Sequence, residues 1–135
     1  MAHVGGKARV LMNIVLWVVQ VLLALVFLLA GVAKAVQPLD KLSKQMTWVP
    51  TMPPAFVRFV GVAEILAAIG LILPLATNIL PWLTVAAAVG GLIVMIGAII
   101  LHAVRREPGK ALANVPWLLM ALLIIIGRLV LVPVA

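Results

Sequence analysis

An all-α bundle of four membrane-spanning helices, packed up and down as a single domain over residues 1–135, is the fold class that three observations predict. Of the 135 residues 67% are hydrophobic and only 10% charged, with a mean hydropathy of +1.36; a soluble domain carries about 25% charged residues. Four stretches each hold about 20 mostly apolar residues, the length a helix needs to cross roughly 30 Å of hydrocarbon. None shows the alternation of a barrel strand of about ten residues, and unpaired backbone is too costly in lipid for any other spanning form.

The first expected span, 11–36, has Asn13, Gln20 and Lys34 as its strongly polar residues. The second, 56–75, carries Arg58 and Glu64. The third, 80–104, opens at Pro81 and holds His102 near its end, and the fourth, 115–134, has Pro116 in its first turn, where proline is at home. Connections fall at 37–55, 76–79 and 105–114. The short middle one makes the second and third helices antiparallel neighbours. Lys7 and Arg9 before an apolar run ending at Ala33-Lys34-Ala35 imitate a cleaved signal. The run nevertheless exceeds the signal core of about 7 to 15 residues, so a retained span is expected.

Ten Lys and Arg against three Asp and Glu give a net charge of +7, spread over loops rather than gathered on one face, so nucleic acid is not an expected partner. Lys34, Lys41, Lys44, Arg58, Arg105, Arg106 and Lys110 share one side, against Lys7 and Arg9 opposite. The positive-inside rule then places connections 37–55 and 105–114 in the cytoplasm of a bacterial-type inner membrane, with both termini outside. Leu39, Leu42, Met46 and Val49 recur at helical spacing, predicting an interfacial helix in the first connection. Trp48, Trp82 and Trp117 fall near span ends and read as headgroup anchors. Pro50, Pro53 and Pro54 offer an alternative for Trp48, as part of a stiff lid.

Cysteine is absent, which excludes disulfides, thiol redox centres and cysteine-ligated clusters. His102 is the only histidine in a span, since His3 belongs to the N-terminal tail, and a bis-histidine haem needs two. Glu64 with His102 falls short of the three or four protein ligands usual for zinc, so no metal is expected. Neither a phosphate-binding loop nor a dinucleotide fingerprint is present.

The informative residues are ionisable groups inside spans, each costing about 2.5 to 3.5 kcal/mol at a helix centre. Lys34, Arg58, Glu64 and His102 all fall toward the loop-rich side and are expected to converge. Gly61, Glu64 and Ala68 share a strip of small residues at i, i+3, i+7, and Ala87, Gly91, Met95, Ala98 and His102 share another, so both polar groups face the bundle. Two readings follow: ion pairing that holds the bundle in register, or a polar floor to a cavity for a lipophilic molecule. Arg128, nearer the opposite surface, is expected to snorkel to headgroups or to partner Gln20, with an anionic ligand as the minority reading.

The chain resembles the DoxX-like family of small four-helix membrane proteins. The resemblance rests on LAGVAK at 29–34, VGVAEIL at 60–66 with GLILP at 70–74, and MIGAIILH at 95–102, and its matched polar set is Lys34, Glu64 and His102. It implies a quinone or similar lipophile, and with the residue reading the expected site between the helices is Lys34, Glu64, His102, Arg58, Gly61, Met95 and Ala98, with Arg128 and Gln20 as a secondary polar site. It also implies an accessory role beside a cytosolic or membrane redox partner, in a chain with no redox centre of its own. The alternatives are a membrane scaffold or assembly chaperone and, behind it, a small transporter; homo-oligomers are compatible with each.

Overall fold

The computed structural model describes residues 5–134; His3 lies outside them. Its elements are α1 (Gly6–Val36), α2 (Leu39–Gln45), a 3₁₀ turn (Val49–Thr51), α3 (Pro54–Thr77), α4 (Trp82–Val104), α5 (Pro108–Ala113), α6 (Val115–Ile126) and a π-helical turn (Gly127–Leu131). Four segments are long and apolar enough to cross a membrane: Gly6–Val36, Pro54–Thr77, Trp82–Val104 and Pro108–Leu131. Helix α1 packs on α3, α3 on α4, α4 on α6, and α6 back on α1, forming an all-α bundle. Its outward faces carry exposed leucine, isoleucine, valine and phenylalanine, as suits a surface solvated by lipid.

Two element boundaries differ from the sequence expectation, each for a local reason. Helix α1 begins at Gly6 rather than residue 11, because the turn holding Lys7 and Arg9 is polar but competent to be helical. Before the fourth span, the chain forms the additional short helix α5, with Pro108 in its first turn. Pro116, lacking an N–H, cannot bond the carbonyl four residues back, and Asn114 sits at the break between α5 and α6.

The first connection also differs. Its helix α2 does not lie free at the interface: Leu42 is fully buried and Trp48 nearly so, forming a cluster with Val49 and Val57 that receives Ala33, Met46, Met52 and Leu101. Trp48 therefore belongs to the folded cap rather than to the headgroup layer, whereas Trp82 is exposed at the start of α4. Burying an indole inside this connection removes more apolar surface from water than anchoring would.

The backbones of α1 and α3 approach closely at two glycines. A Cβ added at Gly31 would lie 2.7 Å from the carbonyl oxygen of Gly61, and one at Gly61 would lie 2.6 Å from the backbone nitrogen of Ala35. Only glycine permits this spacing, because backbone cannot retreat as a flexible side chain can. Arg58 locks the same end of α1, donating through Nη1 to the carbonyls of Lys34 (2.9 Å) and Gln37 (2.6 Å). The helical partner of the Lys34 carbonyl would be residue 38, a proline with no N–H, so the guanidinium supplies the missing donor and a cation at the negative helix end.

Gly61→Ala is expected to lower stability by about 1 to 3 kcal/mol through overpacking, whereas Gly90→Ala, whose added Cβ meets nothing within 4 Å, leaves it unchanged. Thermal unfolding of both variants in one detergent checks the contrast.

Candidate functional site

The Gly31–Gly61 contact fixes the polar centre. Lys34 is one turn beyond Gly31 and Glu64 one turn beyond Gly61, on helices running in opposite directions. Helical side chains tilt toward their own N-terminus, so the lysine leans into the bundle and the glutamate leans back toward the loops. They meet: Lys34 Nζ donates to Glu64 Oε1 at 2.6 Å, with side chains 12% and 2% exposed. Glu64 is ten residues into α3, about 15 Å from that helix's start.

This pair forms part of the wall of a cavity of about 590 Å³, which Met95, Ala98 and His102 of α4 also line. Phe27 and Ala30 of α1, Phe56, Phe59 and Val60 of α3, and Trp117 of α6 supply apolar walls, while Met46, Trp48 and Met52 cover it from the first connection. Five of the sequence-selected residues, Lys34, Glu64, Met95, Ala98 and His102, thus border one space. Arg58 and Gly61 do not; the first caps α1 and the second sets the α1–α3 distance. The expected convergence therefore needs a correction at Arg58, whose guanidinium is drawn to the Lys34 carbonyl left unpaired by Pro38 and to the carbonyl of Gln37.

His102 does not hydrogen-bond Glu64. Its Nδ1 lies 3.2 Å from Glu107 Oε1, a residue that the sequence reading passed over. The turn after α4 explains the pairing. Arg106 adopts a left-handed conformation (φ 59°), the Glu107 N–H donates to the His102 carbonyl at 2.8 Å, and the Arg106 N–H donates to that of Ala103 at 3.1 Å. This Schellman arrangement folds the chain back under the helix end, bringing the carboxylate to the imidazole. An ionised carboxylate only accepts, so Nδ1 carries the proton and Nε2 is the ring nitrogen left for a ligand.

Glu107 also gathers the two connections. It accepts from Arg105 Nε (2.9 Å), Lys110 Nζ (3.2 Å) and Thr47 Oγ1 (3.1 Å), while Arg105 Nη2 donates to the Thr47 carbonyl (3.2 Å). Hydrogen bonds from His102 above all, then from Arg105 and Lys110, hold the Glu107 carboxyl well below its usual range, at about 2. One acidic side chain therefore ties the cap over the cavity to the end of α4. The sequence signal was available, since Glu107 is one of only three acidic residues, but Thr47 becomes its neighbour only through tertiary packing.

At the far end of the bundle a second polar cluster forms. Asn13, Trp17 and Gln20 share one face of α1. Arg128 lies against that face, donating through Nε to Gln20 Oε1 (2.7 Å) and through Nη1 to Asn13 Oδ1 (2.6 Å), with its guanidinium 5.5 Å from the Trp17 ring centre. Gln20 Nε2 donates to the Leu71 carbonyl at 2.7 Å, which aims the amide oxygen at the guanidinium. Arg128 is 2% exposed, so it turns inward to Gln20 instead of snorkelling to headgroups. Gly127 allows the close fit, since a Cβ there would overlap Leu16.

The model of the DoxX-like family matches residues 18–125, a region that includes Lys34, Glu64 and His102. The chain belongs to the DoxX-like family. No curated protein and no solved structure matches it. Among the described residues of this DoxX-like membrane protein, no group of three His, Cys, Asp or Glu side chains is placed to hold a metal ion.

Two outcomes test these networks. Lys34→Met should destabilise the protein by about 3 to 5 kcal/mol by stranding a buried carboxylate, and adding Glu64→Leu should restore much of the loss; thermal unfolding of the singles and the double measures the coupling. For Glu107 the folded pKa lies below the unfolded one, so its contribution to stability is present above the ordinary carboxylate pKa and is lost as pH falls through about 2. The melting temperature of wild type should drop over that window, and Glu107→Gln should remove that component of the drop.

Proposed function

We propose that this DoxX-like protein binds a quinone or a similar lipophilic molecule in the cavity between its helices, as an accessory subunit of a redox system. The observation that carries the reading is an aromatic- and methionine-walled space of about 590 Å³ with polar groups at a few points of its wall. Ligand sites are commonly 300 to 1,000 Å³ and combine apolar walls with a small number of placed polar atoms. A carbonyl oxygen of the ligand accepts from Lys34 Nζ or from a protonated His102. A hydroxyl of its reduced form donates to Glu64 or to His102 Nε2. Met95 and Ala98 line the cavity two turns and one turn before His102 along α4, where a flat ring packs against them.

In this reading the chain holds the lipophile and a partner exchanges electrons with it. With the basic connections in the cytoplasm of a bacterial-type inner membrane, that partner approaches the face closed by α2 and Glu107. Lys41, Lys44 and Arg106 are exposed there, and they offer it a positive surface.

Titrating the purified protein with 2,3-dimethoxy-5-methyl-6-decyl-1,4-benzoquinone, followed by quenching of tryptophan fluorescence, tests the proposal; Trp48 and Trp117 both line the cavity. Saturable binding to wild type is expected. Glu64→Gln and His102→Ala should each weaken it by about tenfold, corresponding to one hydrogen bond of about 1.4 kcal/mol, and Lys41→Ala should not change it. Absence of saturable quenching, or equal affinity in all four proteins, overturns the reading.

A further inference from the structure

The cavity is open sideways as well as capped from above. Helices α3 and α4 are close near their short connection, where a Cβ at Gly70 would lie 2.6 Å from that of Ala87. Ten residues farther along each helix, toward the loop-rich end, Val60 faces the level of Gly97. There a void lies between them: Val60 and Gly97 line the same cavity, and a Cβ at Gly97 would meet nothing within 4 Å. Gly97 and Phe59 both line the cavity, yet both are exposed on the bundle exterior, Phe59 at 69%. A residue that borders an interior space and the outer surface together marks the rim of an opening.

The depth of that rim decides what it opens to. Gly97 is seven residues before Val104, the end of α4, hence about 10 Å along the helix from the loop side. At that level the surroundings of a spanning helix are hydrocarbon. Exposed Gln45 and Lys110 also line the cavity beside the cap of Met46, Trp48 and Met52, so its loop-side edge is polar, and an aliphatic tail on a head at Lys34, Glu64 and His102 meets the bilayer through the side.

We infer that the gap between Phe59–Val60 of α3 and Gly97 of α4 is a lateral portal, and that the ligand is a tailed lipophile whose aliphatic chain runs through it into the bilayer. The inference rests on the proposed head-group site and adds to it the class of ligand and a specificity residue. Gly97 contributes the absence of a side chain. Gly90, on the same helix and equally free of neighbours around an added Cβ, does not border the cavity and serves as its control.

The experiment compares two probes on wild type, Gly97→Leu and Gly90→Leu: the decyl-chained benzoquinone above and 2,3-dimethoxy-5-methyl-1,4-benzoquinone, which has the same ring and no chain. Leucine at position 97 should reduce affinity for the decyl probe by about tenfold and change that for the chainless ring by less than about twofold, a discrimination of the size that a few blocked methylenes produce. Gly90→Leu should alter neither. Equal loss of both probes in Gly97→Leu, or loss of neither, overturns the portal while leaving the head-group site standing. Failure of wild type to bind either probe overturns the head-group site and the portal together.

Discussion

The contact of two glycines, Gly31 on α1 and Gly61 on α3, governs the arrangement of the polar interior. Because the backbones touch there, a lysine and a glutamate one turn further along antiparallel helices are brought to 2.6 Å. In hydrocarbon neither charge is tolerable alone. The attraction of the pair offsets a desolvation cost of several kcal/mol per ion only when the geometry is close. Larger residues at either glycine would separate the helices and leave both charges stranded. The small-residue strip is therefore less a packing convenience than the condition under which a buried carboxylate can exist at all.

The remaining polar groups divide by position along the bundle. Lys34 and Glu64 occupy the interior level, His102 and Glu107 the end of α4, and Arg128 with Asn13 and Gln20 the opposite end. Glu107 does for the connections what the glycine contact does for the helices: it converts two separate chain segments into one unit through four donors. The Arg128 cluster uses a different solution. All three acidic residues of the chain, Asp40, Glu64 and Glu107, lie toward the loop-rich side, and the guanidinium is held by neutral amides and an aromatic face. This separation leaves the cavity-bearing half of the molecule with nearly all of its ionic chemistry.

Much of this was legible in the sequence. The four spans followed from apolar run length, because hydrocarbon thickness sets a minimum that few other constraints share. That Glu64 and His102 face inward followed from helical phase, since an intramembrane polar residue without an internal partner is too costly to leave on a lipid face. Where reasoning from the sequence fell short, the decisive element was a partner supplied by another segment. Arg58 was drawn away from the cavity by Pro38 and Trp48 was buried by Leu42 and Val57, while of the two fates expected for Arg128, headgroups or Gln20, packing selected Gln20. Each outcome depends on which of several available partners the folded chain brings within hydrogen-bonding or packing distance.

The sequence alone determined that this protein is an all-helical membrane bundle, that its ionisable residues gather mainly toward one end, and that small residues flank them. Those properties follow from hydropathy and periodicity, which are local. Only the tertiary structure decided that Lys34 takes Glu64, that His102 takes Glu107, and that Gly97 borders both the cavity and the bundle exterior. Pairings and cavity borders depend on distances between segments remote in the chain, and these are set by packing that no single helix encodes.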